Sequence, residues 1–392
     1  MGIHLCAFKS TYAGVMGTRG AEERLEAIAA LVDPVRVRRA RDATGLTQGE
    51  MAARVAEVAG HEISSAALSQ IERGLTRPSA ETLRGIASAT GYPPAFFLRR
   101  GDDTIERDAS APTFFRSFRS ASSRDRRGAL AQAFLVHDLV VAIEAKVRLP
   151  ELDLPMSVID GEVDPAISAD RVRRRWGLND DPLENVVRIL EQHGIVVARL
   201  TTGLSKVDGF SVAFKDRPVV VLGNDKGKRD RSRFDASHEL GHLVMHRSGI
   251  GDLREAESQA HAFAAAFLMP ERTIKPELRE ARLSWNRLLE LKLRWGVSIA
   301  ALIRRARDLQ VISSDQYTNY MKALSARGWR IDEPGDAEQG SPEASRMLEA
   351  ALDILERQGL SLRELSDTAG LPVKQVEELV VASIDPRPRL KL

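Results

Sequence analysis

RFDASHELGHLVMH, residues 233–246, places His238, Glu239 and His242 in the order H-E-x-x-H. On an α-helix, residues four apart share a face. Two imidazoles at that spacing can hold one metal ion, with the intervening glutamate beside the metal's water. Zinc in a catalytic site takes three protein ligands and keeps a fourth position open. It lowers the pKa of the water there to about 7. Glu239 is then the group to take the water's proton and pass it to a leaving amine. The third ligand has to come from another element. The next helical stretch, EAESQAHAFAAAFLMP at 255–270, offers Glu255, Glu257 and His261. Glu257 and His261 are again i and i+4; Glu257 is favoured and His261 is the alternative. His246 continues the 238/242 face but lies two turns from His238, where it lines a cleft rather than joining one tetrahedron. A third histidine in the H-E-x-x-H-x-x-G-x-x-H pattern is excluded, because position 248 is Ser.

Working outward, strands precede this helix. IVVARLT, GFSVAF and RPVVVLGND have the β-branched content and flanking turn residues of short strands. NVVRILEQHG before them is a helix stopped at Gly194. The helix after the motif stops before Pro270, and two further helical stretches run to about 328. The 392 residues exceed one ordinary domain. A hydrophobic fraction of 43% supplies proper cores and argues against a disordered chain. The net charge of +2 does not announce a nucleic-acid binder, so any basic surface is local. The only cysteine, Cys6, excludes an internal disulfide and a cysteine metal cluster, and fits a reducing cytoplasm. No apolar run reaches membrane-spanning length. The start, MGIHLCAFKSTYAGVMGTRG, reads neither as a signal peptide nor as a myristoylation site.

Residues 33–100 read as short helices, with Thr47, Ser65 and Ser79 at N-cap positions and Glu50 and Thr82 three residues beyond the first and last. A helix-turn-helix lays its second helix in the major groove while its first crosses the backbone. Thr47-Gln48 opening one helix, Ser64/Ser65 the next and Ile71-Glu72-Arg73-Gly74 closing it have that order. The segment carries ten arginines against seven acids, a modest +3. RSFRSASSRDRR adds five arginines and one acid next door, either as a phosphate-binding extension or as a solvated linker. The same helices also suit a packed bundle used for dimerisation.

The quoted motifs carry two resemblances. RFDASHELGHLVMH followed by EAESQAHAFAAAFLMP resembles the ImmA/IrrE family of metallo-endopeptidases over roughly 185–335. That resemblance implies Zn2+ on His238, His242 and Glu257, with Glu239 as the catalytic residue. It also shows a departure: the family's usual Asn is His261 here, which keeps His261 open as the third ligand. LTQGEMAARV…ISSAALSQIERGLTRPSAETLRGIASATGYPPAFF resembles the XRE, phage repressor-like family over about 34–98. It implies that Gln48 holds a phosphate, that Ser65, Ala66, Ser69 and Gln70 face the groove, and that Arg73 and Arg77 touch backbone. VAEVAGHEIS lengthens the turn relative to that family, which leaves the base-contacting positions open.

The expected architecture is multidomain: an all-α helix-turn-helix domain, an α+β zincin-like metallopeptidase domain, and a small helical C-terminal unit. The expected boundaries are a disordered or extended segment at 1–32, the helix-turn-helix domain at 33–100, and a linker at 101–130 with an aromatic clip at Phe114, Phe115 and Phe118. A peptidase domain at 131–331, an acidic linker at 332–343 and the helical unit at 344–392 complete them. In the last, LRELSDTAGLPVKQVEELV scans like a helix-turn-helix but reads better as a packing or dimerisation unit. Together these describe a cytoplasmic regulator, homodimeric on an operator in double-stranded DNA, without a membrane. Its peptidase would cut a partner repressor or its own chain, near 101–128, on a signal. Two rivals remain: a regulator whose peptidase-like cleft senses a small ligand or peptide without cutting, and an antitoxin or immunity-type protein acting on a neighbouring gene product.

Overall fold

Capping chemistry sets most of the helix starts. The computed structural model describes residues 20–60, 62–98, 113–114, 122–155, 164–200, 209–223, 227–246, 252–279 and 283–384. The described chain forms two compact units. One comprises residues up to 111, 120–148 and 350–379; the other comprises 112–119, 149–349 and 380 onward.

The first unit is helical. Its elements are α1 (Ala21–Ala30), α2 (Pro34–Ala43), α3 (Gln48–Ala59), α4 (Ser65–Glu72) and α5 (Ala80–Thr90), followed by a 3-10 turn at Pro94–Phe97. Asp33 caps α2, with Pro34 in the first helical position, where its missing N–H costs nothing. Thr47 and Glu50 form a reciprocal capping box on α3, at 3.2 and 2.6 Å. Ser64, one residue before the expected Ser65, caps α4 by accepting from the Ala67 amide at 3.1 Å. Ser79 caps α5 in the same way through Thr82. Each such cap is worth about 1 kcal/mol. Met51 and Val55 of α3, Leu68 of α4, Leu83 and Ile86 of α5, and Phe96 and Phe97 make the core. Gly85 lets α3 and α5 cross closely, because a Cβ there would sit 2.6 Å from Val55.

Three boundaries differ from expectation here. Residues 21–30, placed in a disordered or extended segment, form α1 because Leu25, Ile28 and Ala29 find a buried face. The 101–130 linker already turns helical at α6 (Ser123–Glu144). Of the expected aromatic clip, Phe115 and Phe118 lie outside the described residues. Residues 131–144, assigned to the peptidase domain, instead continue α6 against α2. Arg36 donates to both oxygens of Asp138 at 2.6 and 2.8 Å, and the Arg39 guanidinium lies 4.3 Å over the Phe134 ring. Within this unit the C-terminal helix Leu362–Ala369 also packs on α6.

The second unit carries the sheet. Residues Thr113–Phe114 are β1, followed by α7 (Pro165–Arg175), α8 (Val186–Gln192), β2 (Val196–Leu200), β3 (Gly209–Val212) and β4 (Val219–Gly223). The strand order is β1-β3-β4-β2, with β2 parallel to β4 and the other pairs antiparallel. Then come α9 (Arg229–Met245), α10 (Leu253–Leu268), α11 (Glu271–Arg279), α12 (Trp285–Trp295), α13 (Ile299–Asp308), α14 (Ser314–Ala326) and the short α15 (Asp336–Gln339). Helix α9 contacts β3 and β4 on one side and α10 on the other. Leu240, Leu243 and Val244 join Phe263 and Phe267 in the core between them.

The stretch 332–343 does not behave as a linker. Its carboxylates neutralise buried cations. The fully buried Lys292 ammonium reaches Asp230 at 3.0 Å, Glu333 at 2.9 Å and Asp336 at 2.6 Å. Glu333 also accepts from the first amides of α13, Ile299 and Ala300. Glu343 is buried against Arg233 and accepts from the Val187 amide at 3.0 Å. Removing one partner of a buried pair strands the other charge at a cost of about 3–5 kcal/mol, whereas a true linker substitution stays within about 0.5 kcal/mol. Glu343→Ala is therefore expected to lower the urea unfolding free energy by about 3–5 kcal/mol. An unchanged midpoint and slope would restore the linker assignment.

Candidate metal centre and nucleic-acid interface

His238 and His242 of α9 and His246 at its C-cap repeat every four residues and form one buried stripe. His238 Nε2 and His242 Nε2 lie 3.1 Å apart. From α10, Glu257 brings one carboxylate oxygen to 3.4 Å from His238 Nε2 and the other to 3.4 Å from His242 Nε2. A tetrahedral ion with bonds of about 2.0–2.2 Å has edges of about 3.3–3.6 Å between its ligand atoms. The two 3.4 Å separations fall in that range and the 3.1 Å between the imidazoles lies just below it; two nitrogens and a carboxylate fit zinc's donor preferences and leave one position for water or substrate. Glu257 is only partly covered, its side chain 19% exposed, so the triangle is open on the carboxylate's side. The other expected candidates fall elsewhere. His261 lies against His238 and Phe234, with ring centroids 5.6 and 4.8 Å away. Glu255 accepts a hydrogen bond from Gln259 at 3.2 Å. Among the described residues, a second group of clustered carboxylates, Asp230, Glu333 and Asp336, surrounds the Lys292 ammonium.

Electrostatics favour the metal-binding protonation states. Burial lowers the His242 imidazole to about 4, overcoming the pull of Glu257, so it is uncharged at neutral pH. Burial pushes the Glu257 carboxyl up, but its contacts with His238 and His242 outweigh that and hold it at about 2. An uncharged imidazole and an anionic carboxylate are the forms that donate lone pairs to a cation. His246 stands behind: its Nδ1 lies 3.1 Å from His242 Nδ1 and its Nε2 2.8 Å from Gln259 Oε1. A hydrogen bond on the far nitrogen fixes a ligand imidazole's tautomer and orientation. His246 is thus a support for His242, beyond the cleft-lining role read from its spacing.

Glu239 faces the sheet. It is 4% exposed and accepts from the Ser211 hydroxyl of β3 at 2.8 Å. Burial raises its carboxyl well above the usual range, against the opposing effect of that hydrogen bond. Ser211 and Gln259 were not among the expected residues. Ser211's signal was a lone hydroxyl inside the apolar run GFSVAF; Gln259 had none, since its role needs the α9–α10 pairing. That pairing rests on Gly241. A Cβ there would sit 3.0–3.2 Å from three carbons of Phe263.

On the other unit, α3 and α4 stand as a helix pair joined through Gly60, which is left-handed at φ 63°. Gln48 is half-buried and donates to Glu72 at 2.8 Å. Glu72 is clamped in turn by Arg41 at 2.5 and 3.0 Å. Ser65, Ala66, Gln70, Arg73 and Arg77 are exposed, and Ser69 is half-buried. The expected reading face therefore lies largely open on α4, while Gln48 is held at the junction of the two helices.

Gly241→Ala tests the spacing of α9 and α10. Alanine is favoured in a helix by about 1 kcal/mol, whereas overpacking a close contact costs about 1–3 kcal/mol. We expect a net loss of thermal stability; a raised melting temperature would show slack between the helices.

Residues 37–97 match the helix-turn-helix family model, and residues 190–307 match the model of the IrrE N-terminal-like domain. No curated protein matches the chain. The first match contains α3 and α4; the second contains Ser211, His238, Glu239, His242, Glu257 and Gln259. The chain thus joins an XRE-type helix-turn-helix segment to an IrrE/ImmA-like peptidase-family segment, in that order.

Proposed function

We propose that the chain is a cytoplasmic DNA-binding regulator of transcription whose zinc-dependent endopeptidase site cuts a partner regulator, or its own chain, in response to a signal. The observation that carries this reading is the placement of Glu239: a buried carboxylate, held by Ser211, one residue from the first histidine of the His238–His242–Glu257 triangle. His238, His242 and Glu257 would hold the ion; zinc there would supply Lewis acidity toward a peptide carbonyl and a water of lowered pKa. Glu239 takes the attacking water's proton on its free oxygen and delivers it to the departing amine, so one carboxyl serves as base and then acid. Ser211 keeps the carboxylate aimed during both transfers. His246, braced by Gln259, keeps the His242 Nε2 turned toward Glu257, where it would meet the ion.

The regulatory half follows from α4. Its exposed N-terminal residues Ser65 and Ala66 enter the major groove, with Ser69 and Gln70 one turn on, while Gln48 and the arginines 73 and 77 meet phosphates. Two copies on a twofold-symmetric operator match the usual geometry of such readers. Serine and alanine make few bidentate base contacts, so groove shape and thymine methyls carry much of the discrimination.

Two measurements test this. Comparing protein N-termini in cells carrying the wild type or Glu239→Gln should reveal at least one terminus present only with the wild type. Identical termini under every stress tried, with zinc bound by both proteins, would remove the peptidase reading. For DNA, Arg73→Ala should reduce the slope of log affinity against log salt by about 1 on duplex DNA. A slope equal to the wild type's would take Arg73 off the phosphate backbone.

A further inference from the structure

The basic run RDRR at residues 124–127 opens α6 and lies outside the helix-turn-helix match at 37–97. Its place is set by the way the first turns of α6 meet the end of α2. Gly128 comes so close that a Cβ there would sit 3.3 Å from the Asp42 carbonyl oxygen, and Gln132 donates to the Ala43 carbonyl at 3.3 Å. Ala43 closes α2, and Thr47 just beyond it caps α3. Two ion pairs then fix the arginines. Arg124 reaches Glu50, in the first turn of α3, at 3.3 Å, and Arg127 Nε donates to Asp42 at 3.3 Å. Asp42 is shared with Arg41 at 2.8 Å, Arg41 clamps Glu72, and Glu72 holds Gln48. A continuous line of polar side chains thus runs from Arg127 to Gln48, the residue read as meeting a phosphate.

These side chains are placed but not used up. Arg124 and Arg127 remain about half exposed, at 51 and 49%. A carboxylate takes at most two of a guanidinium's five N–H donors, so each head keeps donors for a second anion. Arg126 is exposed; among the described residues it meets the Ser123 hydroxyl at 3.5 Å and has no carboxylate partner. The one acid inside the run, Asp125, is turned back onto Ser122, accepting from its amide at 3.2 Å and its hydroxyl at 2.8 Å. We propose that Arg124, Arg126 and Arg127 form a second phosphate contact, outside the helix-turn-helix, that grips the backbone of the same duplex where α3 begins. The partner is the sugar-phosphate backbone of double-stranded DNA. Arginine matches phosphate oxygens in a fork, and such contacts add affinity and register without reading bases. The helix-turn-helix segment alone carries an excess of only three positive charges, and α6 supplements it from outside. This rests on the reading of α3 and α4 as the DNA-binding pair.

The test uses the full chain and a fluorescein-labelled duplex of mixed sequence, about 30 base pairs long, followed by anisotropy between about 50 and 200 mM NaCl. Each phosphate neutralised adds about 0.9 to the slope of log affinity against log salt. Arg126→Ala should therefore lower that slope by about 1, and Arg126→Ala with Arg127→Ala by about 2. Arg126→Lys should keep the wild-type slope, because the charge displaces the counterions. Lys146→Ala removes the same charge just past the other end of the 22-residue α6. That is about 30 Å from Arg126, several screening lengths away, and its slope should equal the wild type's. Where loss of the Arg127–Asp42 pair loosens the unit, Arg126→Ala alone decides. A wild-type slope in the arginine variants would overturn the proposal and leave the helix-turn-helix reading standing. An equal fall with Lys146→Ala would reduce the effect to net charge and overturn it as well. A wild-type chain that binds no duplex even at the lowest salt would remove the DNA-binding reading, and this contact with it.

Discussion

The distance between α9 and α10 governs the candidate metal centre. Two of its three donors sit on one helix and the third on the other, so the 3.4 Å separations between Glu257 and the two imidazoles exist only at one interhelical spacing. Gly241 permits that spacing by offering no Cβ to Phe263. The far side of α9 is fixed just as firmly, because Ser211 holds Glu239 to β3. A helix clamped on both faces keeps its side chains within the small tolerance that chemistry demands.

Buried cations decide which distant parts of the chain join each unit. A guanidinium removed from water needs a compensating anion. In the sheet-bearing unit Arg233 finds Glu343, 110 residues away, and Arg199 donates to the Glu343 carbonyl at 2.8 Å. In the helical unit Arg36 and Arg39 find Asp138, about a hundred residues away. In both cases one carboxylate draws a remote segment onto a core that already contained an arginine. Apolar burial alone is non-directional; these pairs add orientation and register.

This explains what was legible in the sequence. His238, Glu239, His242 and Glu257 could be read because their relation is local: i, i+1 and i+4 on one helix, and a carboxylate near the start of the next. The strands at 196–200, 209–212 and 219–223 were legible from β-branched runs, and the α3–α4 pair from Thr47 and Glu50. Residues 332–343 were not, because Pro, Gly and acids read as linker until Lys292 and Arg233 are known to face them. Residues 131–144 carry a clear helical period, but period says nothing about which core the helix covers. Ser64 and Ser65 are equally good caps by composition, and only backbone geometry distinguishes them.

A common device links the two candidate sites. Three of the polar groups expected to meet a ligand are each held by a neighbouring side chain. Glu72, clamped by Arg41, holds Gln48; Ser211 holds Glu239; His246 holds His242. Orientation is thereby settled during folding, and binding need not supply it. At the peptidase-like site the support is the sheet itself: Ser211 belongs to β3, which pairs with β4 on one side and with Thr113–Phe114 on the other, so the hydroxyl that holds Glu239 is placed by strand pairing.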